Sequence, residues 1–68
     1  MNQEQTEAKA AVFRAREEAE RRKRELEGMP LPWAPGVEEP FAKAHAEFEQ
    51  AIKHALASGI HPRDLLLP

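Results

Sequence analysis

The chain has no cysteine and no tyrosine, only three glycines, and one tryptophan among 68 residues. Without cysteine there is no disulfide and no thiolate zinc site, two of the staples on which small domains rely when their core is thin. The only hydroxyl side chains are Thr6 and Ser58, so the usual nucleophiles of covalent catalysis are scarce. No run of 18 apolar residues is present, and the first residues, Met1 to Gln5, form neither a basic nor an apolar leader segment. These features predict a cytoplasmic protein with no membrane partner. Charge of one sign is also missing. Ten basic against twelve acidic side chains give a net charge of −2, far from the strongly basic balance of a compact nucleic-acid binder.

Alanine and helix-forming charged residues fill much of what is there. Twelve alanines make up a large part of the 41% hydrophobic content, leaving sixteen larger apolar side chains from which to build a core. A chain of this length buries only about 60% of the surface its unfolded form exposes, so burial against a second copy or a larger partner would add what the core lacks.

Proline and glycine divide the chain. Helix formers run from about residue 3 to residue 27 with no internal glycine or proline, which predicts a long first helix. Gly28 supplies a left-handed C′ position in this reading, and Pro30 blocks continuation. Residues 28–37 carry Pro30, Pro32 and Pro35 together with Met29, Leu31, Trp33 and Val37. They predict a stiff connector lying across the helices with Trp33 at least partly buried. A second helix is expected over about 38–58, with Pro40 and acidic residues in its first turn. Ser58, Gly59 and Ile60 read as a Schellman end, and Pro62 opens a short turn over 62–67.

The first helix carries Ala8, Val12, Ala15, Ala19, Arg22 and Leu26 at alternating spacings of four and three, the stripe of a close-packed helix seam. The second carries Phe41, Ala44, Phe48, Ala51, Ile52, Ala55 and Leu56 as a broader apolar face. The fold class is therefore all-α: a single small domain over residues 1–68, built as an antiparallel helical hairpin and completed as a dimeric four-helix bundle or on a partner.

Chemistry-bearing patterns are sparse. His45 and Glu49 are spaced i,i+4, but His54 lies nine residues from His45 on the opposite helix face, so three ligands do not converge. There is no HExxH pattern and no glycine-rich phosphate loop. No metal, cofactor, enzymatic activity or small-molecule substrate is expected. The expected role is that of a non-enzymatic protein–protein interaction module, a small accessory or adaptor protein presenting a helical surface. Val12, Ala15, Ala19, Phe41, Phe48 and Ile52 are the candidate interface residues, and Trp33, Leu65 and Leu66 the candidate partner contacts. Three consecutive leucines, Leu65 to Leu67, cannot all point inward from one short turn, so at least one is expected to meet another chain.

The alternative is a small dimeric nucleic-acid-binding regulator using Arg14, Arg16, Arg21, Arg22 and Arg24. Two sequence features weigh against it. Residues 21–24 run right around a helix at about 100° each, and over residues 14–27 six basic side chains are interleaved with five glutamates. Glu17, Glu18 and Glu20 each precede a basic residue by four, the order that supports a solvated helix.

Overall fold

A computed structural model describes residues 2–66, which are helical and without strands. Helix α1 spans Gln3–Glu27 and helix α2 spans Glu39–Ala57; they pack against each other as a hairpin, and a 3₁₀ turn over Pro62–Leu65 folds back onto α1. The result is a rod of 46 × 17 × 17 Å.

Local sequence accounts for the helix ends. Asn2 caps α1: its side chain accepts from the Gln5 backbone N–H at 2.8 Å, while the Gln5 side chain accepts from the Asn2 N–H at 3.2 Å. This reciprocal box satisfies two amide donors that a helix start otherwise leaves open. The same Gln5 amide also donates to the Ser58 carbonyl at 2.8 Å. One side chain thus ties the start of α1 to the end of α2.

That end of α2 is a Schellman motif, as expected. The Ile60 N–H donates to the Ala55 carbonyl at 3.2 Å, the Gly59 N–H donates to the Leu56 carbonyl at 3.1 Å, and Gly59 takes a φ of +91°. Gly28 departs from expectation. It has a φ of −81° and simply extends the right-handed turn, its N–H bonding to the Arg24 carbonyl. The chain leaves α1 without a left-handed residue because Pro30 soon stops the helix.

The two glycines therefore predict substitutions of opposite sign. Gly59→Ala forces a Cβ into a left-handed backbone, 3.2 Å from the Gln5 amide, and should cost about 1–2 kcal/mol. Gly28→Ala meets nothing closer than 3.5 Å at an ordinary φ and should gain up to about 1 kcal/mol. Thermal unfolding followed by circular dichroism should show the first melting earlier than the parent and the second no earlier.

Alanines and a few larger aliphatic side chains make the core. Ala8, Val12, Ala55, Ile60 and Leu65 form one buried cluster, with Phe48, Ala51 and Ile52 packed against its edge. Ala19, Leu26 and Ala44 are also buried, towards the loop end of the rod. Of the six seam positions on α1, Ala8, Val12, Ala19 and Leu26 are buried, whereas Ala15 and Arg22 are only half-buried at its edge. The α2 face is less fully used than its sequence suggests. Phe41, Phe48 and Ile52 are half-buried and Leu56 is 40% exposed, since α1 covers the side of α2 that carries Ala44 and Ala55 and leaves the aromatic side at the margin.

The connector behaves as a mixture. Trp33 is partly buried, and its indole N–H reaches the Met29 carbonyl at 3.4 Å. Met29 and Leu31 are exposed, Leu31 by 77%. The segment arches over the end of the rod, and Pro40 falls in the first turn of α2 as expected.

Candidate functional site

The hairpin leaves a shallow trough along one side, running between the two helices. Its floor and walls are Ala19, Phe41, Phe48 and Leu66, and its rim carries Arg16, Glu20, Lys23 and His45. The opposite side of the rod also has a hollow, but no aromatic side chain lines it: Gly36, Pro40, Ala42 and Ala44 alternate there with Glu18, Arg22, Glu39, Lys43 and Glu47. A face that exposes aromatic carbon has an energetic reason to be covered.

Each wall of the trough follows from helical spacing. Phe41, His45 and Phe48 recur at intervals of four and three along α2, as do Arg16, Glu20 and Lys23 along α1, so each set shares one face. Arg16 is the pivot. Its guanidinium lies 5.3 Å from the Phe13 ring centre and 5.6 Å from that of Phe48, within the range of a cation–π contact. The same guanidinium donates to the Leu65 carbonyl, pinning the 3₁₀ turn to α1. Spacing in the sequence gave no sign of this role, since an arginine among glutamates on a long helix reads as a surface residue.

The candidate interface residues fall into two groups. Val12 and Ala19 are buried between the helices, Ala15 is half-buried, and Phe41, Phe48 and Ile52 line or border the exposed side. Trp33 is half-buried in the connector, away from the trough. Of the leucines, Leu65 is fully buried, so it belongs to the core and offers no side-chain surface to a partner; this corrects the expectation of a docking contact there. Leu66 takes a left-handed backbone, with φ +57°, and is 72% exposed at one end of the trough. Leu67 lies outside the described residues.

The arginines do not gather into one surface. Arg16 turns towards Phe13 and Phe48, while Arg21 and Arg22 both pair with Glu18, and Arg22 also reaches Glu25 at 3.2 Å. The hydrogen bond from the Arg21 guanidinium, with further support from Arg22, holds the Glu18 carboxyl below its ordinary range. Glu25 and Glu18 in turn hold Arg22 above its own. Arg14 and Arg24 are exposed on α1. These pairs lie in water, where each contributes little, and their effect is to neutralise the basic run from within the same helix.

His45 is exposed, with its Nε2 3.5 Å from Glu49, and its ring is stacked at a tilt 5.8 Å from Phe41. Among the described residues, no three histidines, aspartates or glutamates lie close enough to hold one metal ion, and no helix is long and apolar enough to cross a membrane. Compared with protein-family models, with curated proteins and with solved structures, the chain matches none.

Proposed function

We propose that this chain is a non-enzymatic protein–protein interaction module, a small accessory or adaptor protein that acts by presenting a helical face. The observation that carries this reading is the trough of Ala19, Phe41 and Phe48, in which the two phenylalanines of the α2 apolar strip remain half-exposed. Covering that face supplies the burial a hairpin of this size lacks. The occupant is a second copy, completing a four-helix bundle, or a larger assembly. The reading includes a cytoplasmic location, with no cofactor, membrane or small-molecule substrate, and its mechanism is rigid display rather than chemistry.

A photo-crosslinking residue tests this directly. Placed at His45 in the trough, it should give a covalent product with protein in cells that make the chain. Placed at Gln50, an exposed position on the other side of α2, it should give little. Absence of any product from position 45, with the chain folded and abundant, would remove the proposed function.

A further inference from the structure

The side chain that caps a helical turn is ordinarily serine, threonine, aspartate or asparagine, whose acceptor oxygen stays available throughout the neutral range. The 3₁₀ turn over Pro62–Leu65 is capped instead by a histidine. His61 has an extended backbone, with φ −71° and ψ 141°, and its Nδ1 accepts from the Arg63 backbone N–H at 3.1 Å. The Arg63 side-chain Nε–H reaches the same nitrogen at 3.4 Å. An imidazole nitrogen accepts only while it carries no proton. Both contacts therefore require the neutral ring, with its hydrogen on Nε2.

Protonation of His61 acts twice. It removes the acceptor, leaving the Arg63 N–H to water, and it sets an imidazolium beside the Arg63 guanidinium. The groups around the turn do not compensate. On α1 the turn-side cations are Arg16, which holds the Leu65 carbonyl, and Lys9, seven residues earlier on the same helix face. The end of α2 that leads into the turn carries Lys53 and His54. Asp64 is the carboxylate of the turn itself, and among the described residues no carboxylate forms an ion pair with His61.

The effect reaches the core because of what the turn carries. Leu65 is fully buried with Ala8, Val12, Ala55 and Ile60, and Leu66 stands at one end of the trough. Along its backbone the turn is held by the Asp64 N–H on the His61 carbonyl at 2.9 Å and the Leu66 N–H on the Arg63 carbonyl at 3.2 Å. In so short an element one cap is a large share of the order.

We propose that the 3₁₀ turn is a proton-sensitive latch: neutral His61 caps it and keeps Leu65 in the core, whereas protonated His61 loosens it, releasing Leu65 and drawing Leu66 away from the trough. Docking is firmest where the imidazole is neutral and weakens as the pH falls through the range in which histidine gains its proton.

Hydrogen exchange of the Asp64 and Leu66 amides, followed by NMR on the full chain and divided by the intrinsic exchange rate at each pH, reads the open fraction of the turn. From about pH 7.5 to about pH 5.5 the parent should lose about fivefold in protection at both amides, the fold-change of one lost cap. His61→Asn keeps a capping acceptor that does not titrate, so its protection should stay constant within about twofold over the same range. His61→Ala lacks the cap at both pH values and should match the acidic parent throughout. Far-ultraviolet circular dichroism confirms that the helices persist in each variant. Equal protection of the parent at both pH values would overturn the latch. So would a loss in His61→Asn as large as that of the parent, since the responsible proton would then sit on another group, such as His45 or His54.

Discussion

Leu65→Ala is expected to leave most of the chain unfolded at 25 °C. Leu65 sits in the 3₁₀ turn with no exposed surface, packed with Val12, Ala8, Ala55 and Ile60 in the principal buried cluster. It and Val12 are the largest side chains that the fold encloses completely. Truncating a buried leucine costs about 2–5 kcal/mol, the upper part of the range applying where the cavity cannot collapse. Ala8 and Ala55 are already minimal and cannot move in to fill the space. A hairpin of this size has a total stability of only a few kcal/mol, so a loss of this order competes with all of it. Far-ultraviolet circular dichroism through a urea titration is the measurement. A midpoint for Leu65→Ala equal to that of the parent would mean that the turn does not dock in solution. Leu66→Ala is the control: Leu66 is the next residue but largely exposed, and its truncation should move the midpoint little.

The second large effect is expected at Arg16. Its guanidinium bridges Phe13 and Phe48 and holds the Leu65 carbonyl, so it joins both helices and the turn. Arg16→Ala removes a charge-assisted hydrogen bond, the stacking on two rings and the packing of the aliphatic stem, together about 1.5–3 kcal/mol at a partly exposed site. Arg16→Lys should recover only part of this. An ammonium group keeps the charge but lacks the flat face that covers an aromatic ring and the forked geometry that reaches a carbonyl at the same time. The order of stability should therefore be parent, then lysine, then alanine, read by urea denaturation at a concentration low enough to exclude self-association. Equal stability of the lysine variant and the parent would show that charge alone accounts for the contribution.

The helices themselves were legible because their signals are local. An uninterrupted run of helix formers, the proline block of residues 30–35 and Gly59 each act within a few residues of where they stand, and the observed bounds fall within one residue of the expected ones. The Schellman end at Gly59 was readable for the same reason: only glycine takes that backbone conformation without cost, and Ile60 follows it. Gly28 shows the limit of that logic, since a glycine two residues before a proline permits a left-handed stop but does not require one.

Residue type and spacing along the chain determined an all-α hairpin with an alanine-rich seam and a proline-rich connector. Only the tertiary structure decided which apolar groups are covered. On α2, residues of similar hydrophobicity fall on both sides of the line where α1 crosses, so Ala55 is enclosed while Phe48 stays at the margin. In the turn, Leu65 and Leu66 are chemically identical, and the way the 3₁₀ turn folds back onto α1 encloses one among Ala8, Val12, Ala55 and Ile60 and leaves the other at the surface. Helix formation follows from neighbours in the sequence, whereas burial depends on the angle and register at which two distant segments meet, and a few ångströms of approach separate the two outcomes.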